Sequence, residues 1–333
     1  MLLYGYRGSG KTSALRKIQS LVREALPKSV IVEVPLRVPS SEAMLIQGIA
    51  EVIREQLEKQ TRMSGRVKRA FESLSSLSVA GTGFERKVTP RPAPSSLLAV
   101  WRAALSALAE SPLLCVCVDD AELLNAGEIG ILKTIIETDS PVPVMIVVAG
   151  GPELIEKLSQ REASPILRAF SGAVFDIGQF TQAETRDALE APIRSVKATG
   201  RWDASGVSAV FHLTHGYPYL VQCFAAGAYV DGGRIREQDV KDAIPTALRL
   251  ASSWLERELP EASDEDIRAF AKIAALGQVE FRNADVLRLG INSIYLSRLT
   301  RVGVLKRLSR GRYELRMAPA VAYFHALRRK ITL

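Results

Sequence analysis

Cysteine is scarce in this chain of 333 residues, with three in all: Cys115, Cys117 and Cys223. Two of them sit in an apolar strand pattern, and none has a further cysteine or a histidine at metal-ligand spacing. That argues against a disulfide framework and a structural zinc site, and all three read as reduced packing residues. The lone histidines His212, His215 and His325 likewise read as core or surface residues. Long apolar runs are also missing. LLCVCV and VMIVVA are far too short to span a bilayer, and no charged n-region followed by an apolar h-region opens the chain. A cytoplasmic protein with no membrane segment is therefore expected. Internal repeats and low-complexity tracts are absent too. What remains is 47% hydrophobic and 24% charged, ordinary globular material with enough chain for two or three cores.

The net charge of +8 is concentrated in two places. Arg62, Arg66, Lys68 and Arg69, with Arg86, Lys87 and Arg91, form one group, best read as a solvated face. The other is the stretch from Arg282 to Lys330.

The chemistry-bearing motif lies at the very start, in MLLYGYRGSGKT. Gly5, Tyr6, Arg7, Gly8, Ser9, Gly10, Lys11 and Thr12 fill every fixed position of G-x-x-x-x-G-K-[ST], the phosphate-binding loop, with Ser13 following. Such a loop turns its N–H groups inward around phosphate oxygens, and glycine reaches the dihedrals that this requires. Lys11 supplies a mobile positive charge for the β and γ phosphates of ATP or ADP. Thr12 offers a hydroxyl to Mg²⁺ at the start of a helix whose dipole favours anions. Leu15, Ile18, Leu21, Val22 and Ala25 mark the apolar face of that helix.

A buried strand is predicted over 29–34, a helix over 41–60 with Ile46, Ile49, Ile53 and Leu57 inward, and a hairpin or excursion over 71–90 before a proline-rich connector. LLCVCVDD (113–120) then delivers two carboxylates from the end of a buried strand, the Walker B pattern. Asp119 is placed to hold Mg²⁺ through water and Asp120 to orient or deprotonate the attacking water. Further strands are expected over 142–148 and 173–178, giving a parallel sheet of the additional-strand class of P-loop ATPases. From Thr181 onward the pattern is helical, the mark of a lid. The last eighty or so residues carry three amphipathic helices, a basic hairpin joined at 309–312 and a final helix, a winged helix-turn-helix. In its third helix Ile294, Leu299 and Val302 are expected inward. Asn292, Tyr295, Arg298 and Arg301 are expected outward, and with Arg310 and Arg312 of the wing they form a candidate DNA-contacting set. The expected divisions are 1–178 for the core, 179–250 for the lid and 251–333 for the winged helix.

The chain resembles bacterial AAA+/STAND-type ATPases, and HGYPYLVQ (215–222) carries the more specific part of the likeness. Gly216 and Pro218 match the G-x-P module of STAND lids, which implies that Pro218 packs near the nucleotide base. AGGPELIEKLSQ resembles the segment that follows the fourth core strand in this group. The resemblance implies an ATP-controlled switch that closes the lid on the core, with ATP-dependent self-association. It also implies that Arg168, just before the fifth strand, is a candidate arginine finger, although a surface ion pair is the simpler role for one arginine. Asp120 stands where many relatives carry Glu, which points to slow hydrolysis. Relatives also carry a segment before the first strand, so a start assigned too far downstream is expected. The winged helix fits duplex DNA or a protein partner equally well. Two other functions compete with the switch: a DNA-associated ATPase of the replication-initiator or transposition-adaptor kind, and a regulator that holds nucleotide without hydrolysing it.

Overall fold

In the computed structural model, residues 1–34, 111–160 and 164–332 are described, together with positions 49, 52, 53, 55, 101, 102, 104–106 and 108. The excursion expected over 71–90, its connector and the basic group at 62–91 lie outside them. Of the helix expected over 41–60, the four described positions are helical, with Ile49 and Ile53 fully buried. The chain forms two compact units, Met1–Ile177 and Gly178–Leu333.

The first unit is built on β1 (Leu2–Tyr4), β2 (Val30–Val34), β3 (Leu114–Val118), β4 (Val144–Gly150) and β5 (Val174–Asp176). All neighbours pair in parallel, in the order β2-β3-β4-β1-β5. Placing β4 between β1 and β3 creates the additional-strand arrangement. A strand covered on both faces must be apolar at every position, and β3 is buried throughout. One face packs against Trp101, Leu105, Leu132 and Leu154, the other against Leu15 of the helix after the loop. Cys115 and Cys117 lie on that second face with their sulfurs 3.7 Å apart. At the edge, β5 keeps all three residues exposed, whereas Leu2 and Leu3 of β1 beside it are buried.

Helix α1 (Lys11–Ala25) follows β1; α2 (Ala126–Glu137), α3 (Pro152–Ser159) and α4 (Ser164–Ala169) belong to the same unit. An Asn125 and Glu128 capping box starts α2, and Pro152 fits the first turn of α3, where no amide donor is needed.

The second unit opens with α5 (Gln182–Ser195), started by the capping box that Thr181 and Glu184 predict. Next come β6 (Arg201–Trp202), α6 (Ala204–Thr214), α7 (Pro218–Ala228), β7 (Arg234–Ile235), α8 (Glu237–Asp242), α9 (Ile244–Leu250) and α10 (Ser252–Leu255). The short parallel pairing of β6 with β7 was not expected; it occupies Arg201 and Trp202, so α6 starts later, capped by Asp203. Two-residue strands are too short to leave a periodic signal.

The chain then builds α11 (Asp264–Ala274), β8 (Glu280–Arg282), α12 (Asn283–Arg288), α13 (Ser293–Arg301), β9 (Leu305–Ser309), β10 (Arg312–Leu315) and α14 (Pro319–Arg329). β8 is a third strand beside the expected hairpin, in the order β8-β10-β9. One apolar core runs from Leu189 to Ile331 without a break between lid and winged helix. Helix α14 packs on α11, α6 and α10, and the His325 ring meets the Glu258 carbonyl at 2.6 Å.

Candidate functional site

The loop between β1 and α1 has the shape its glycines predict. Gly8 and Gly10 take φ of 83° and 96°, in the left-handed region that a Cβ disfavours. At Gly5 the limit is space, since a Cβ there would stand 2.4 Å from the Ile177 carbonyl oxygen and 2.7 Å from Ser9 Oγ. Lys11 is buried, and its ammonium donates to the carbonyls of Gly5 at 2.8 Å and Tyr6 at 3.1 Å. The charge is thus held inside the loop on weak neutral acceptors. Ser9 Oγ is buried with no hydrogen-bond partner among the described residues. Tyr6, Arg7 and Ser13 are exposed around the loop.

Across the sheet, β3 ends at the same place. Thr12 Oγ1 donates to Asp119 Oδ2 at 2.7 Å, so the two oxygens expected to share Mg²⁺ already touch. Asp120 follows in the left-handed region with φ of 51°. Burial raises its carboxyl above the ordinary aspartate range, Asp119 and Glu122 push the same way, and Lys11 and Arg7 oppose them. An acid that gains a proton more readily is a better base than an ordinary aspartate. The donor set fits a Mg²⁺-bound nucleoside triphosphate: an orphaned buried hydroxyl, a buried ammonium resting on carbonyls, and a hydroxyl paired with a carboxylate.

The remaining expected site residues lie elsewhere. Arg168 is exposed on α4, beside an apolar groove lined by Tyr4, Ile155, Leu167 and Val174. Gly216 and Pro218 belong to the second unit. Gly216 has φ of 68°, and a Cβ there would meet the Phe180 carbonyl oxygen at 2.0 Å. Pro218 is buried at the start of α7, and Tyr217 beside it packs on Trp254 with ring centroids 4.9 Å apart.

On α13 the expected faces need correction. Leu296 and Leu299 are buried, whereas Ile294 is 59% and Val302 40% exposed. Apolar residues at 294, 295, 296, 299 and 302 fit more than one helical phase, and the core selects the one through Leu296. The exposed stripe is Ser293, Ile294, Ser297 and Arg301; Tyr295 is half-buried. Arg298 is turned back on its own unit, donating to Asp266 Oδ2 at 2.7 Å and Ser263 Oγ at 3.1 Å, with Tyr295 beneath it. In the wing Arg310 is exposed, whereas Arg312 pairs with Glu280 at 3.0 Å. Side-chain partners across elements leave no periodic trace, so these commitments could not be read from spacing.

Glycine loop, lysine, and paired threonine and aspartate on an additional-strand parallel sheet define a P-loop ATPase fold, followed here by a helical lid and a winged helix. More particularly, residues 1–147 match the family described as AAA ATPase domain, and residues 265–316 match the one described as transcriptional regulator, AbiEi antitoxin. Among solved structures, the chain is similar to a Walker-type ATPase of Pyrococcus abyssi, at 18% identity and a TM-score of 0.52 over 97% of this chain and 90% of that one. It is also similar to the ADP form of the Aeropyrum pernix ORC2 protein, at 14% identity and a TM-score of 0.48 over 100% and 88%. A third is Cdc6p of Pyrobaculum aerophilum, at 14% identity and a TM-score of 0.45 over 99% and 86%. No curated protein matches the chain. Among the described residues no helix is long and apolar enough to cross a membrane, and no group of three or more His, Cys, Asp or Glu could hold a metal ion.

Proposed function

We propose that this chain is an ATP-binding, slowly hydrolysing switch whose winged helix contacts duplex DNA. The observation that carries the nucleotide half is the 2.7 Å contact of Thr12 with Asp119 beside the buried Lys11 ammonium, because a metal–polyphosphate uses all three groups together. The backbone amides of residues 8–12 and Ser9 Oγ would bind phosphate oxygens, and Lys11 would leave its carbonyls for them. Thr12 and Asp119 would hold Mg²⁺, which supplies charge neutralisation when bound. Asp120 takes the proton of the attacking water, and its carboxylate, one methylene shorter than glutamate, supports slow turnover. On this reading Pro218 packs near the base in the closed lid, and Arg168 is a candidate finger should copies of the chain associate.

The DNA half rests on the match of residues 265–316 to a transcriptional regulator family. A protein partner on the same face is the competing reading, and the exposed Ile294 favours it to the extent that it does not meet a base.

Isothermal calorimetry with Mg·ATP, followed by phosphate release with and without duplex DNA, tests the proposal. Lys11→Ala is expected to remove most ATP affinity, since the phosphate charge then meets only backbone dipoles and metal. ATP binding by that variant as tight as in the wild type would refute the nucleotide site.

A further inference from the structure

The turn after the Walker B strand is fastened to the end of β4. Glu122 lies in a short 3-10 segment, Ala121–Leu123, and its Oε2 accepts the Gly151 amide at 2.9 Å. The fit is close, because a Cβ on Gly150 would stand 2.8 Å from that oxygen and 2.7 Å from Leu154 Cδ2. Lys157 of α3 holds the same turn by its main chain, donating to the Glu122 carbonyl and, at 3.4 Å, to that of Leu124. The side chain of Glu122 is therefore tied to the junction of β4 with α3 and its main chain to Lys157 in the second turn of α3.

Asp120 stands two residues earlier in the left-handed region, and its neighbours on both sides hold it there. From behind, the Asp120 amide donates to Asp119 Oδ1 at 3.1 Å; from ahead, the Asp120 carbonyl accepts the Leu123 amide at 2.9 Å, inside the segment that Glu122 fastens. A carboxylate engaged by a main-chain amide is poorly placed to act as a base itself.

We propose that Glu122, bound to the Gly151 amide, is a positioning residue that holds the Asp120 carboxylate toward the phosphate loop for hydrolysis. The inference rests on the reading of Asp120 as the base. Loss of the contact then lowers turnover and leaves nucleotide affinity intact, since neither Glu122 nor Gly151 belongs to the phosphate loop.

The test measures ATP affinity and single-turnover phosphate release of the full chain for the wild type, Glu122→Ala, Glu122→Gln, Asp120→Asn and the Asp120→Asn/Glu122→Ala double variant. Glu122→Ala is expected to slow release by about tenfold with ATP affinity changed less than about twofold. Glu122→Gln should keep most of the rate, because its amide oxygen still accepts the Gly151 hydrogen. On the Asp120→Asn background the alanine should add no further loss, as both act through one group. Wild-type turnover in Glu122→Ala, equal losses in Ala and Gln, or fully additive losses would each overturn the positioning role. A wild type that binds ATP without releasing phosphate would overturn the hydrolytic reading and this role with it, which separates the two failures.

Discussion

A buried ammonium needs hydrogen-bond acceptors, and Lys11 finds them in the loop's own carbonyls. His215 is the opposite case. It sits at the end of α6 with φ of 48°, is 9% exposed, and its pKa is lowered to about 4 by burial, with His212 adding repulsion. The unfolded chain therefore binds a proton that the folded chain refuses, and stability falls as pH drops below the ordinary histidine value near 6.5. Going from about pH 7 to about pH 5 should cost about 2 kcal/mol from this residue alone. Urea unfolding at the two pH values measures it, and His215→Asn, which tolerates the left-handed backbone, should shrink the difference by most of that amount. His325, also lowered mainly by burial, contributes with the same sign and remains in the variant. The cysteines make a simpler case. The contact with Cys117, followed by burial, raises the Cys115 thiol, while that same contact lowers Cys117, and all three are buried.

At the scale of elements, α13 shows what a sequence can carry. Its existence was legible over 292–302, because amphipathic spacing acts within a few residues, whereas the structure makes Asn292, expected on the outer face, the cap of a helix that runs Ser293–Arg301. The phosphate loop, β2, β3 and β4 were legible for the same local reason. The rotation of α13 was not, nor were β8 and the pairing of Arg298, since each depends on residues tens of positions away. Arg298 completes the group of Ser263 and Asp266 that starts α11. Arg298→Ala is thus expected to lower winged-helix stability by about 1–2 kcal/mol, because Asp266 is left buried without its cation. A Ser297→Ala/Arg301→Ala double variant should leave stability within about 0.5 kcal/mol of wild type and weaken duplex binding with a flatter salt dependence. Thermal melts beside DNA titrations at several salt concentrations separate the two outcomes. Unchanged DNA affinity in that variant would place the contact on the wing or on another surface.

For the whole molecule, the expected division into core, lid and winged helix meets a structure whose apolar core is continuous from Leu189 to Ile331. Lid and winged helix should therefore melt together, and calorimetry of the full chain is expected to resolve two transitions, not three. Trp254, packed on Tyr217 and Tyr219 between the two parts, provides the check. Trp254→Ala should lower the second transition by the equivalent of about 2–3 kcal/mol and keep it single. A third transition in either protein would show the winged helix to be independent. The sewing of α14 onto α6, α10 and α11 also has a mechanical meaning. A part joined by a slack tether can turn while its neighbour stays still; one that shares a core cannot. Any rotation imposed at Gly216 and Pro218 turns the wing that carries Arg310 through the same angle, as by a crank.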